Sequence, residues 1–300
     1  MTTTEQPYEA VFIGHNGMGD NLNMIGAVRF LLPFYQKVYF VVKIEYVDRV
    51  APFFKDSNVN FLCMVIDTPT KESELINGIV RAFKEKPNTD LFITGCWRNV
   101  STENIRNKAF LEARDKFKKT MENKSVLTFD HDMLTQKDYF FLPQFYEDLG
   151  LHFNIYFEYF DFPAGENSEK LYHSVKHYKN IIFMQNKSSC GKMLSINNLL
   201  QKYLNDPDAI LISNDENIYE KYETITTNKD ENNNKKQLVQ PFVLGNIVDY
   251  KDVIMNSTEI YIIDSCLVSV IIPLFKANKL KAHTLRIINR NRLHEPGAQL

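Results

Sequence analysis

The segment Gly14-His15-Asn16-Gly17-Met18-Gly19-Asp20-Asn21 sets a carboxylate and an imidazole among three glycines. Glycine lets a backbone turn tightly and approach a ligand, and a carboxylate held beside such a turn can take a proton from a reacting hydroxyl. The same aspartate at the start of a helix could instead act as a cap, giving about 0.5–2 kcal/mol of stability and no chemistry. Gly14, Gly17 and Gly19 do not form G-x-G-x-x-G, so the loop is not a dinucleotide fingerprint. A second combination, Ile263-Asp264-Ser265-Cys266-Leu267, leads from an apolar run into a helix expected to begin near Ser265. There the Ser265 hydroxyl and the first helical N–H groups could cradle a phosphate or diphosphate, or simply satisfy a capped helix. A third, Gln185-Asn186-Lys187-Ser188-Ser189-Cys190-Gly191-Lys192, carries two lysines, compact charges suited to neutralising phosphate or else solvated in a loop. It lacks G-x-x-x-x-G-K-[ST] and is not a P-loop. Asn214 and Glu216 could read a base or ribose, and Asn246 follows Gly245 just before a helix; both places also read as ordinary turns.

Other chemistries find little support. His173 and His177 are four residues apart, but no third ligand lies near them in sequence, so a metal site is not expected. Ser188, Ser189 and Ser265 lack a nucleophile-elbow sequence. Cys63, Cys96, Cys190 and Cys266 show no CxxC or Cys/His spacing and lie in or beside apolar runs. They are read as reduced and mostly buried, which points to a reducing compartment.

The candidate residues need elements to position them. Tyr8 to Gly14 is a short apolar run ended by glycine, as a buried parallel strand should be. Asn21 to Phe34 has helical spacing at Leu22, Ile25, Gly26, Arg29 and Leu32. Strand patterns recur at Val38–Val42, Phe61–Ile66 and Leu91–Thr94, separated by helix-like stretches at Glu45–Phe54 and Lys71–Lys84. Two more helical stretches follow at Thr102–Lys119 and Asp138–Leu149. The aromatic, aperiodic segment Gly150–Gly165 holds the domain boundary, giving domains 1–155 and 156–300. Alternation then restarts with a helix at Glu169–Tyr178, a strand at Asn180–Gln185, a helix at Leu194–Leu204 and a strand at Ala209–Ser213. After the polar insert Thr226–Lys236 come a strand at Gln240–Val243, a helix at Asp249–Asn256, and strands at Glu259–Ile263 and Ala282–Ile288. Strands alternating with helices imply parallel sheets covered on both faces, so the chain is α/β with two doubly wound, Rossmann-like halves.

A chain of 300 residues with 44% hydrophobic and 24% charged residues needs no disulfide or metal to hold a core. Its 35 basic against 37 acidic residues leave no global field to draw it to nucleic acid or an anionic membrane. Met1 to Glu9 lacks the pattern of a signal peptide, and no apolar run approaches the roughly 20 residues of a membrane span. A cytoplasmic location without a transmembrane segment is expected.

Gly17-Met18-Gly19-Asp20-Asn21-Leu22, followed by an apolar helix, resembles the glycine-aspartate loop of the heptosyltransferases and related GT-B glycosyltransferases. Ile262-Ile263-Asp264-Ser265-Cys266-Leu267 is similar to their late Asp-Ser/Thr-Gly donor loop, with Cys266 where glycine is usual. The resemblance spans most of the chain through architecture and about twenty residues through motif. It implies two Rossmann-like domains facing across a cleft, the N-terminal one binding an acceptor hydroxyl and the C-terminal one a nucleotide-sugar donor. Asp20 would be the catalytic base, with His15, Asn16, Gly17, Gly19 and Asn21 binding substrate. Lys187, Ser188, Lys192, Asn214, Asn246, Asp264, Ser265 and Cys266 would bind the donor. The expected reaction is inverting transfer to a glycan or other hydroxyl acceptor, with no cofactor and no metal. Asp130-His131-Asp132 has the spacing of the Asp-x-Asp metal motif of the other large glycosyltransferase class, but no apolar strand precedes it. A nucleotide-sugar epimerase of the same fold, or a non-catalytic nucleotide-sugar-binding module, remains an alternative reading.

Overall fold

The computed structural model describes residues 7–15, 17–97, 105–122, 141–188, 190–204, 206–218, 243, 245–291 and 293. They group into two units, one ending at Asp161 and the other beginning at Phe162. The Asp130-His131-Asp132 motif, the polar insert Thr226–Lys236 and all but Val243 of the strand expected at Gln240–Val243 lie outside the described residues.

The first unit holds four parallel strands, β1 (Glu9–Ile13), β2 (Lys37–Lys43), β3 (Val59–Met64) and β4 (Thr89–Ile93), in the order β3-β2-β1-β4. Central β1 is almost wholly buried, whereas edge strand β3 leaves Asn60 and Cys63 exposed. The second unit holds β5 (Asn180–Gln185), β6 (Ala209–Ser213), β7 (Glu259–Ile263) and β8 (Thr284–Ile288), also parallel, in the order β6-β5-β7-β8. Each half is therefore the doubly wound sheet that the alternation implies. Among the described residues no helix is long and apolar enough to cross a membrane.

Local chemistry shifts several elements from their expected extents. The first helix is divided at Met24 into Met18–Asn23 and Ile25–Leu31. Pro52 cannot donate a backbone bond, and Glu45–Phe54 becomes three short turns, Ile44–Tyr46, Val47–Val50 and Ala51–Phe54. The aperiodic aromatic segment after Gly150 contains a one-turn helix, Ile155–Glu158. The helix expected from Leu194 starts at Asn197, because the Leu194 N–H donates to the Asn186 carbonyl at 2.8 Å.

Two buried carboxylates anchor the ends of strands away from the candidate loops. Asp90, at the start of β4, accepts from the Tyr35 hydroxyl at 2.8 Å and from the Arg106 and Asn107 N–H groups. Glu259, the first residue of β7, accepts from the Tyr261 hydroxyl and lies 3.6 Å from Lys202 Nζ. Both groups are polar, buried and partnered, as a folded interior requires.

Gly26 lets the helix Ile25–Leu31 meet Ile155–Glu158 at backbone distance. A Cβ on Gly26 would sit 2.8 Å from the Ile155 carbonyl oxygen and 2.9 Å from Tyr156 Cα. Gly26→Ala is expected to destabilise the protein by about 1–3 kcal/mol despite alanine's better helix propensity. A lower urea midpoint at unchanged slope in a denaturation series would verify it.

Candidate active site

In open parallel sheets ligands bind beyond the carboxyl ends of the strands, where the strand order reverses. In the first unit β2 and β3 lie to one side of β1 and β4 to the other, so the reversal falls between β1 and β4. The residues following those two strands are Gly14-His15 and Thr94-Gly95. In the second unit the reversal falls between β5 and β7, and the residues following are Asn186-Lys187 and Asp264-Ser265. The two motifs picked out for their residue types thus leave the strands that flank a reversal.

At the first reversal the His15 imidazole lies over Gly95. A Cβ at Gly95 would come within 2.3 Å of His15 Cδ2, and Gly95 has φ +74°, so both space and backbone favour glycine here. Phe145 packs against both, its ring centroid 5.4 Å from that of His15 at a tilt of 36° and its Cε1 3.3 Å from where a Gly95 Cβ would be. Phe145 belongs to the helix Phe141–Asp148, which is tied to the end of β4. Thr94 Oγ1 donates to the Phe145 carbonyl at 2.9 Å, and the Gly95 N–H donates to Asp148 Oδ2 at 3.0 Å.

So held, His15 Nδ1 stands 3.5 Å from Asp20 Oδ2, with the His15 side chain 38% and the Asp20 side chain 26% exposed. Asp20 does not cap the helix. Gly17 is the cap, and Asp20 is the third helical residue, its carboxylate folded back until Oδ2 lies 2.6 Å from where a Gly17 Cβ would be. Asn21 is buried and donates its side-chain amide to the Gly17 carbonyl at 2.9 Å, while its Oδ1 has no partner among the described residues. Gly19 lies in the same turn, and Asn16 is outside the described residues. The hydrogen bond to Asp20 is the largest influence on His15 and raises its pKa above the usual 6.5; burial opposes this, and the charges of Asp20 and Glu72 add to it. Glu72, in the helix Pro69–Lys84, pairs with Lys43 at the end of β2 at 3.8 Å. Gly95, Phe145, Lys43 and Glu72 were not marked by the sequence. Their only signal is position after a strand or in a helix, which acquires meaning once strand order is known.

At the second reversal the loop after β5 forms a tight hairpin. The Ser188 N–H and hydroxyl both reach the Lys192 carbonyl, at 2.9 and 3.1 Å, and Lys187 bridges Met193. Lys187 is exposed, Ser188 is buried, and Lys192 Nζ donates to Asn291 Oδ1 at 3.2 Å. The Ser265 hydroxyl donates to Gln185 Oε1, joining the two loops across the reversal. The helix does not begin at Ser265 but at Val268. The N–H groups of Val268, Ser269 and Val270 bond to the carbonyls of Ser265, Cys266 and Leu267, so these amides are used within the turn. An anion at this tip is therefore not met by the amides of Val268, Ser269 and Val270.

Asn214 is half-buried after β6, and it is Asp215 that turns inward. Asp215 Oδ1 accepts from Asn217, while its Oδ2, like Asn186 Oδ1, is buried without a donor among the described residues. Asn246 caps the turn Ile247–Tyr250 by accepting from the Val248 N–H at 3.3 Å. The cysteines depart from expectation. Cys63 and Cys190 are exposed and Cys266 is half-buried, none of the three in a disulfide, because they occupy an edge strand and loop tips; the Cys96 side chain is outside the described part.

No protein-family model and no curated protein matches the chain. Solved structures that it is similar to include Escherichia coli ADP-heptose LPS heptosyltransferase II, at 12% identity over 96% of this chain and 94% of that one, with a TM-score of 0.45. A glycosyl transferase family 9 protein from Veillonella parvula aligns at 10% identity over 94% and 86%, TM-score 0.47. Escherichia coli heptosyltransferase WaaC with ADP-2-deoxy-2-fluoro heptose aligns at 11% over 89% and 86%, TM-score 0.44.

The pair has a pH signature. Because folding raises the His15 pKa, its stabilisation is fully present below the unfolded value of 6.5 and is lost as pH rises through the folded value. His15→Gln should flatten that part of the stability profile, and the partial exposure keeps the effect small. Urea midpoints of both proteins between about pH 5 and 9 will check it; parallel curves would contradict the pairing.

Proposed function

We propose that the chain is a glycosyltransferase that moves a sugar from a nucleotide-sugar donor to a glycan or other hydroxyl acceptor, with inversion and without a metal ion. The observation that carries this reading is the Asp20–His15 pair at the β1–β4 reversal. The motif resemblance of the two strand-end loops supports it.

In this mechanism the acceptor O–H gives its proton to the Asp20 carboxylate while its oxygen forms the new bond to the anomeric carbon. The bond from that carbon to the diphosphate oxygen breaks, and its electron pair leaves with the nucleoside diphosphate. Attack opposite the leaving group inverts the anomeric centre. His15 holds the carboxylate and offers a second site for the proton. Charge developing on the leaving diphosphate is met by Lys187 and Lys192 with Ser188 and the Ser265-Cys266 tip, positioned charge being the strongest means of stabilising such a transition state. The nucleoside lies toward Asn214, Asp215 and Asn246, and its hydroxyls are the donors that buried Asp215 and Asn186 oxygens lack.

Asp20→Asn should leave nucleotide-sugar binding intact and lower transfer by about 10²–10⁴-fold. Calorimetry with a panel of nucleotide sugars measures the first, and mass spectrometry of products the second. Undiminished transfer removes Asp20 from the base role. Interconversion of the donor without an acceptor would identify an epimerase, and binding without any turnover a non-catalytic module.

A further inference from the structure

Sheet order sets β7 between β5 and β8, so the Asp264-Ser265-Cys266 tip is flanked by the loop after β5 and the loop after β8. Each flank sends a cation across. From the β8 side Arg290 Nε lies 3.8 Å from Asp264 Oδ2, and from the β5 side Lys192 Nζ reaches Asn291, the neighbour of Arg290. The β8 loop is built to hold this position. The Asp264 N–H donates to the Ile288 carbonyl at 2.8 Å, and the Asn291 N–H donates to the buried Asn289 side chain, also at 2.8 Å.

We propose that Arg290 is a ligand for the donor's diphosphate, and that in the ligand-free chain Asp264 holds the place the phosphate takes. This rests on the nucleotide-sugar reading of the second unit and adds a residue and a competition to it. Three observations carry it. At 3.8 Å the ion pair is longer than a charge-assisted hydrogen bond of about 2.7–2.9 Å, and the Arg290 side chain is 39% exposed, so exchanging partners sacrifices little. The amides of Val268, Ser269 and Val270 bond to carbonyls of the same turn and the Leu267 N–H reaches the Ser265 hydroxyl, so the amides at the start of this helix are already engaged and a cationic side chain beside them gains weight. The fields of Arg290 and Lys192 also overlap at Cys190. That thiol is held below its ordinary pKa first by the Ser188 hydroxyl and the Lys192 backbone, then by the charges of Arg290 and Lys192. A planar guanidinium with a fork of donors matches a diphosphate's oxygens better than the single carboxylate oxygen it now approaches.

The test is a cycle of variants titrated with ADP, UDP and GDP by calorimetry, with circular dichroism to verify folding. Arg290→Gln should weaken the nucleotide that wild type binds by about 10–100-fold, and Arg290→Lys should recover part of the loss. Asp264→Asn should tighten it by about 2–5-fold, and this gain should disappear when Arg290 is already Gln. Unchanged affinity in folded Arg290→Gln overturns the proposal, as does an equal gain from Asp264→Asn with and without Arg290. In either case a loss on Lys192→Ala leaves the nucleotide reading standing. If wild type binds none of the three, the nucleotide reading and this inference fail together.

Discussion

Parallel strands place all their carboxyl ends on one edge of a sheet, and a reversal of strand order parts the loops that leave two neighbouring strands. The rest of the chemistry here depends on that constraint. His15 can rest on Gly95 only because β1 and β4 are neighbours that end together, Ile13 level with Ile93. Ser265 can reach Gln185 only because β7 lies beside β5, Ile262 level with Gln185. Neither contact follows from closeness in sequence; each spans about eighty residues. The sheet supplies the coincidence, and the small, polar or charged side chains supply the chemistry.

The two strand-end regions differ in their electrostatics. In the first unit an acid is set against an imidazole beside an aromatic ring, and a second acid, Glu72, reinforces the positive charge on His15 while pairing with Lys43. Such an arrangement keeps a proton acceptor in a fixed orientation while leaving it open to solvent. In the second unit Arg290 stands against Asp264, and Lys192 reaches Asn291, the neighbour of Arg290. There the turn after β7 engages the amides of Leu267 to Val270, and the hairpin after β5 engages those of Ser188, Gly191 and Leu194. In the proposed donor site, charge for the diphosphate then comes from side chains such as Arg290 in competition with Asp264.

Much of the architecture was legible from local pattern. Asn180–Gln185, Ala209–Ser213 and Glu259–Ile263 are strands over the residues that their apolar runs mark, because a strand buried on both faces has to be apolar along its whole length. Helix starts were less legible. Ser265 is a good capping residue by type, yet its hydroxyl donates to Gln185 and the helix waits until Val268, a decision taken by a distant partner. Asp20 looked like a possible cap and is instead the third helical residue, turned back toward Gly17 and His15. The cysteines looked buried because apolar neighbours surround them in sequence, but Cys63 lies on an edge strand that nothing in its own segment identifies as an edge.

By itself, then, the amino-acid order determined the α/β class, the two halves, and the loops rich in glycine, acid and lysine, since periodicity and residue type act over a few neighbours. Only the tertiary structure decided which strands adjoin, and with that the pairing of His15 with Asp20 over Gly95, the linkage of Ser265 to Gln185 and the approach of Arg290 to Asp264. Strand order is set by the burial of whole sheets and helices together, and no window of local sequence contains that energy.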